Sequence, residues 1–279
     1  MRWMTRAAAL ALSAIAPLHA AFAQLGQPGP WGLGLQEGAS PIKHGIAMFH
    51  DGLLLPIISV IVVFVLALLV IVMVKFNAKA NPNPTRTAHN TLIEVLWTAI
   101  PIVILVVIAI PSFRLLYKQD RAVNPEMTVK VTGRQWYWNY EYPDHGGFQF
   151  DSYIVRDAAG NPAGTPRLLE VDNRLVVPVG ATVRVLVGGA DVMHSFFIPS
   201  LGVQIYSVPG RLNETWFQVE KEGIFYGQCN QICGKDHAFM PINIEAVSKE
   251  KFQQWVEQAK KKFAADQPVP VAVAAAPVK

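Results

Sequence analysis

The chain has 279 residues, 52% of them hydrophobic and 16% charged, with a formal net charge of +4. Such a composition fits a membrane-anchored chain with one modest domain outside the bilayer. Between Ala122 and Val247, 13 acids face 9 bases, so the basic surplus belongs to the leader, a loop and the tail, and a nucleic-acid-binding reading is excluded.

Met1 to Ala23 carries Arg2 and Arg6, then the apolar run Ala7 to Ile15, then Ala21-Phe22-Ala23, which has the form of a signal-peptidase site. This predicts a signal peptide over 1–23 and a mature chain that begins at Gln24, with a segment over 24–52 ahead of the membrane. Two apolar runs, 53–74 and 95–117, reach the roughly 20 residues that a spanning helix needs. Pro56, Pro101 and Pro111 interrupt them, which membrane helices tolerate where neighbours re-satisfy the backbone. The first run is free of charge, which argues against a buried helix of a soluble protein. The connection over 75–94 carries Lys75, Lys79 and Arg86 and no acid before Glu94. By the positive-inside rule it is cytoplasmic, and both termini lie on the periplasmic side. Glu94 stands at the leading edge of the second span, where a helix N-terminus favours a carboxylate.

Over 122–247 the pattern changes to period two. Met127 to Thr132 alternates, Leu168 to Val171 and Leu175 to Val179 are short apolar runs split by Asp172-Asn173, and Thr182 to Val187 alternates again. Glu214 to Val219 and Ile242 to Val247 complete a series of short strands, which predicts a Greek-key sandwich or small barrel. Trp136-Tyr137-Trp138 falls inside this series; aromatic residues of a β-domain are usually core, and Tyr137 is assigned there. Ser248 is placed to cap a helix over 248–264, with Phe252, Trp255, Val256 and Phe263 on one stripe and lysines near its end. The Ala/Pro/Val tail over 265–279 reads as disordered.

Cys229 and Cys233 are the only cysteines. In an oxidising compartment two cysteines more often pair than bind metal. A bridge between residues four apart, however, closes a very small loop and removes little unfolded-state entropy. His237 and Met240 follow within the same run, and two thiolates, an imidazole and a thioether form the soft ligand set that copper prefers. Zinc has no use for Met240 and lacks a second cysteine pair. A mononuclear blue-copper site needs one cysteine, so the second is left to bridge two ions. His194, in Asp191-Val-Met-His-Ser, comes several strands earlier; it is a candidate ligand from a distant loop, or else a satisfied core histidine. Copper electron transfer is the chemistry to which these residues point.

Taken in order, the leader, the two apolar runs, Gly133 to Tyr142, Leu168 to Arg174, Asp191 to Ser195, Pro209 to Asn213 and the Cys229 loop resemble subunit II of bacterial haem–copper cytochrome c oxidases, over nearly the whole mature chain. The resemblance implies a two-helix transmembrane hairpin in the bacterial inner membrane, followed by an all-β, cupredoxin-like Greek-key domain that holds a dinuclear copper centre, CuA. It implies that Cys229 and Cys233 bridge both ions, that His194 and Met240 complete one copper, and that His237 with the backbone carbonyl of Gln231 completes the other. It makes Trp136 the residue where electrons enter from cytochrome c, with Glu141, Asp144, Asp172 and Asp191 as the acids that steer the donor's lysines. The stretch from His145 to Phe148 lacks an acidic pair found in some relatives. Glu94 corresponds to the mouth of a proton path into subunit I, whose haem centre reduces oxygen to water while protons are pumped.

One position departs from the commonest pattern of that family. Residue 231 is usually a glutamate, whose carboxylate reaches a magnesium ion at the boundary with subunit I; here it is Gln231. A backbone carbonyl survives the change, whereas a neutral amide is a poorer ligand for a hard cation. No Cys-x-x-Cys-His is present to bind haem covalently. Two other classes compete: a copper-free scaffold subunit of a quinol oxidase, against which the intact ligand set speaks, and a free-standing membrane-tethered cupredoxin carrier, which would purify without a haem protein.

Overall fold

The computed structural model describes residues 26–29, 31–155 and 166–263. The expected signal peptide over 1–23 and the tail over 265–279 lie outside the described residues. Helix α1 (Pro41–Phe49) runs through a wide turn at His50–Leu54 into α2 (Leu55–Lys75), and α3 spans Thr91–Asp120. The helical runs extend past the apolar stretches because polar caps set their ends. Ser40 Oγ accepts from Lys43 N at 3.0 Å with Pro41 in the first turn, and Asn90 Oδ1 accepts from Ile93 N at 3.2 Å. Pro101 and Pro111 lie inside α3. Both long helices are apolar on all sides, and the rest of the chain covers neither apolar stretch, the signature of helices whose environment is lipid and partner subunits.

The β-domain is two five-stranded sheets. In chain order the strands are β1 (Met127–Arg134), β2 (Tyr137–Glu141), β3 (Gln149–Ser152), β4 (Leu175–Pro178) and β5 (Thr182–Gly189), then β6 (His194–Ile198), β7 (Val203–Ser207), β8 (Asn213–Gln218), β9 (Gly223–Cys229) and β10 (Pro241–Val247). One sheet has the order β3-β2-β1-β5-β8 and the other β4-β10-β9-β6-β7; only β1–β5 and β4–β10 pair in parallel. Alternation does the sorting: β1 and β5 send Val129, Val131, Val183, Val185 and Val187 inward, against Phe196, Ile198, Phe225, Ile242 and Ile244 of the other sheet. Leu168–Val171, expected as a strand, is a turn in which only Val171 bridges, to Ile154. Leu168 sits at φ 63, outside the strand region, so an apolar run here marks burial rather than pairing.

Helix α4 (Lys249–Phe263) is capped by Ser248 and buries Phe252, Val256, Ala259 and Phe263 against the domain. Tyr142, fully buried, donates its hydroxyl to Val176 O at 2.9 Å and accepts from Val176 N at 3.0 Å, tying the two sheets together. The domain also sits firmly on the helices. Trp216 Nε1 donates to Lys118 O at 2.9 Å, Ala39 N donates to Ser200 O at 2.9 Å, and Ser40 Oγ donates to Leu201 O at 2.7 Å. Gly202, at φ +68, lies so close to α1 that a Cβ there would stand 2.8 Å from Ile46 Cδ1.

Candidate metal centre

Strand pairing brings the candidate ligands to one pole of the domain. β9 ends at Cys229 and β10 begins at Pro241, with Gln228 opposite Pro241, so everything from Cys229 to Met240 is one connection at the end of a hairpin. β6 lies beside β9 with Phe196 opposite Cys229, which sets His194, at the start of β6, beside that connection. Sequence distance had separated His194 from the cysteines; sheet register removes the separation.

The donor atoms converge. The ring nitrogen of His194 and the sulfurs of Cys229 and Cys233 all lie within 4.8 Å of one another, and all three residues are buried. Cys229 Sγ and Cys233 Sγ stand 3.9 Å apart and both are free thiols; a disulfide needs about 2.05 Å. Cys233 Sγ is 3.5 Å from Met240 Sδ and 3.5 Å from His237 Nδ1, and Cys229 Sγ is 3.2 Å from the carbonyl oxygen of Gln231. His194 Nε2 lies 2.9 Å from Asp191 Oδ1, so with the proton on that nitrogen it donates to a carboxylate and leaves a lone pair on Nδ1. Nδ1 is buried and has no hydrogen-bond partner among the described residues, an orphan that a metal would satisfy. Asp191 is itself fixed by accepting from Gln135 N at 2.7 Å and Val192 N at 2.6 Å.

Burial opposes ionisation of either thiol. At Cys229 that penalty is outweighed, first by the neighbouring His194 imidazole and then by the backbone at Ser195, and the thiol is held below its ordinary value. At Cys233 burial and the neighbouring Cys229 act together and push it up to about 12. A cation placed between them must therefore displace the second proton, as a bound metal does. The residues fit a soft metal: two thiolates, two imidazoles, a thioether and a carbonyl, with no carboxylate among the converging atoms.

Trp136 leans on this loop. Its Nε1 donates to Cys233 O at 3.2 Å, Gln135 Nε2 donates to the same oxygen at 2.9 Å, and Lys235 Nζ lies 5.7 Å from the centre of the Trp136 ring. The peptide between Gln135 and Trp136 is cis. Gly234, at φ +127, leaves no room for a side chain, since a Cβ would come to 2.8 Å from Trp136 Cζ2. Trp138, to which sequence reasoning gave no role, is fully buried behind the centre. It donates Nε1 to Met240 O at 3.2 Å and meets the His194 ring edge-on at 6.0 Å. Its place two residues after Trp136, in the alternating run that becomes β2, was the available signal. Tyr137, assigned to the core, instead faces outward and stacks on Tyr153 at 4.5 Å, because β2 buries Trp138 and Tyr140 and strand alternation sends their neighbour to the other face.

The candidate docking acids are all engaged locally. Glu141 pairs with Lys130 at 2.9 Å, Asp144 accepts from Thr128 N, and Asp172 accepts from Tyr153 N and Asn173 N. Asp191 is the one that contacts a candidate ligand. Glu94 lies at the far end of α3, where its Oε1 accepts from the N-cap Asn90 N at 3.0 Å, reciprocating the Asn90 cap.

The match to known proteins follows the same division. Residues 127–247 match the family model of the cytochrome c oxidase subunit II periplasmic domain, and residues 28–115 match that of its transmembrane domain. A probable cytochrome c oxidase subunit 2 of Rickettsia bellii is 52% identical over 249 residues, covering 89% of this chain and 91% of the relative. The chain belongs to the cytochrome c oxidase subunit II family. Cytochrome c oxidase subunit 2 of Metridium senile is 47% identical, over 82% of this chain and 90% of its own. The crystal structure of the periplasmic domain of subunit II from Bradyrhizobium japonicum is 55% identical, with a TM-score of 0.48, and matches 51% of this chain and 99% of that one. The chain is thus part of a membrane-bound oxidoreductase complex, and the cluster of His194, Cys229 and Cys233 is consistent with a copper site. Neither the copper-free scaffold nor the free-standing carrier is favoured, since the thiols and imidazoles converge and the likeness to oxidase subunits runs through both helices as well as the domain.

Proposed function

We propose that the β-domain stands on the periplasmic side, that cytochrome c delivers electrons to it at a dinuclear copper centre, and that they continue to haem in subunit I, where oxygen is reduced to water as protons are pumped. The observation that carries this reading is the convergence of both free thiols with His194, His237 and Met240 at one buried pole. Cys229 and Cys233 would bridge, with His194 and Met240 on one ion and His237 and the Gln231 carbonyl on the other. When bound, such a centre exchanges one electron with little change in geometry, because the charge is shared over two metals and two sulfurs.

The chain's own groups prepare that exchange. Asp191 holds the His194 ring through Nε2, which leaves Nδ1 for the metal, and Trp138 packs edge-on against the ring. Burial keeps water away from Cys229, Cys233 and Met240. Trp136 offers a half-exposed ring whose N–H joins the Cys233 carbonyl directly, which supports it as the entry point. The acidic balance of the outer domain suits a cationic donor, with Glu141, Asp144 and Asp172 as steering charges. Lys75, Lys79 and Arg86 support a cytoplasmic connection. Glu94 would serve both as a helix cap and as the entrance of a proton path.

Copper analysis and electron paramagnetic resonance on the purified full chain in detergent test the centre. Two coppers per chain are expected, with one unpaired electron shared equally between both nuclei. One copper with a four-line hyperfine pattern would overturn the dinuclear assignment.

Gln231 gives a separate test. If only its carbonyl serves copper, Gln231→Glu should leave the copper spectrum nearly unchanged and tighten Mg²⁺ or Mn²⁺ binding in the assembled oxidase by tenfold or so, as a charged hard ligand replaces an amide. Manganese incorporation in cells grown with excess manganese reads this directly. Equal occupancy in both forms would remove the side chain from any second metal site.

A further inference from the structure

Away from the copper pole, the junction of the N-terminal segment, the outer ends of the helices and the β-domain encloses a cavity of about 520 Å³. Its depth in the membrane is set by α3. Leu116 is near the end of the apolar run, Gln119 and Asp120 follow it, and all three border the cavity, which therefore lies where hydrocarbon gives way to headgroups.

The lining exposes more apolar than polar surface, and some of its polar groups lack partners among the described residues. The stem of Lys43 is packed away, with the residue only 4% exposed, while its ammonium is not among the fully buried atoms and has no hydrogen bond or ion pair among the described residues; Asp51 acts on it through space, and that carboxylate is bonded to His50 at 2.6 Å. Partial burial weakens the hydration of this ammonium, so an anion that reaches it gains a charge-assisted hydrogen bond. Gln36 Oε1 is buried as well and lacks a donor. Of the two acids at the cavity, Glu214 is taken by Arg184 at 2.8 Å, whereas Asp120 is largely exposed and has only Arg121, 3.9 Å away. One cavity at the bilayer boundary thus presents an unanswered cation, an unanswered acceptor and an available carboxylate.

We propose that this cavity binds the headgroup of an amine-bearing phospholipid such as phosphatidylethanolamine. Its phosphate meets Lys43, its ammonium donates to Gln36 Oε1 and Asp120, and its acyl chains run down beside the apolar faces of α1 and α3. A simple anion answers Lys43 but leaves Gln36 without a donor, and a choline headgroup has no N–H to give. The backbone is held rigidly around the site by the Gly202 contact with α1 and by a second close approach, since a Cβ on Gly45 would lie 3.1 Å from Leu115. This reading requires only that the two helices span the membrane; it is independent of the copper assignments.

The test uses the intact oxidase, delipidated and reconstituted in nanodiscs of phosphatidylethanolamine or phosphatidylcholine, with retained lipid counted by native mass spectrometry. Wild type should hold one phosphatidylethanolamine per complex more tightly than Lys43→Met by roughly tenfold or more, the scale of a lost hydrogen bond to a charged group. Asp120→Asn, an exposed change that leaves packing alone, should weaken phosphatidylethanolamine retention and leave phosphatidylcholine retention as it is. Copper content should be equal in all forms, which separates a lipid effect from misfolding. Equal retention in wild type and both variants overturns the proposal. So does equal protection of the site by O-phosphoethanolamine, which carries the headgroup without chains, because a free phosphate compound would then suffice. A zero-length carbodiimide cross-link from Lys43 to a carboxylate of a neighbouring oxidase subunit also overturns it, since protein would then fill the site.

Discussion

Cys229→Ser is expected to abolish the shared-electron copper signal and to reduce electron uptake from cytochrome c to background. A serine hydroxyl neither ionises at neutral pH nor offers a soft donor, so the change removes one of two bridges rather than tuning it. Changes to groups that merely orient a ligand already cost about 10–100-fold in metal affinity, so loss of a bridging ligand should cost on the order of a hundredfold or more. The Cys229 sulfur is 3.9 Å from Cys233 and 3.2 Å from the Gln231 carbonyl, so its removal takes a soft donor out of the middle of the converging set. Serine is isosteric enough for this buried position that circular dichroism should be unaltered. Copper analysis together with the resonance spectrum checks the outcome, and a retained shared-electron spectrum would show that Cys229 is not a bridge.

Trp136→Ala should lower the rate of electron entry from cytochrome c by roughly thirtyfold or more, the scale of losing a central aromatic anchor at an interface, while copper content stays the same. The separation is expected because two donors hold the Cys233 carbonyl. When Trp136 Nε1 is removed, Gln135 Nε2 still donates to it at 2.9 Å, and the loop keeps its anchor. Asp172→Asn should behave differently. It should raise the apparent KM for cytochrome c and flatten its dependence on salt, with kcat little changed, since screened steering acts on encounter. Stopped-flow oxidation of reduced cytochrome c at several ionic strengths distinguishes the two. A wild-type rate in Trp136→Ala would move the entry point elsewhere.

The two kinds of information divide along physical lines. The spanning helices were legible because hydrocarbon imposes a length and an apolar composition on any helix that crosses it, and both are properties of a contiguous run. The strands that alternate were legible for the same local reason, and Leu168–Val171 was misread because burial of a turn leaves the same apolar trace as a strand. The candidate loop ligands Cys229, Cys233, His237 and Met240 pointed to a soft metal by type and spacing alone. Residues far apart in the chain were a different matter. The pairing of β6 with β9 carries His194 to the cysteines, and no local pattern encodes which strands become neighbours. The same holds for the contact of Asp191 with His194 Nε2, which its charge alone did not announce, and for Trp138, whose inward face follows from the register of β2. Lys43 is the clearest case: in the sequence it is one lysine beside an apolar run, and only the meeting of helix, sheet and N-terminal segment buries it without a partner. Local chemistry is written in contiguous residues, but burial and convergence depend on contacts between distant ones, and those the tertiary structure alone decides.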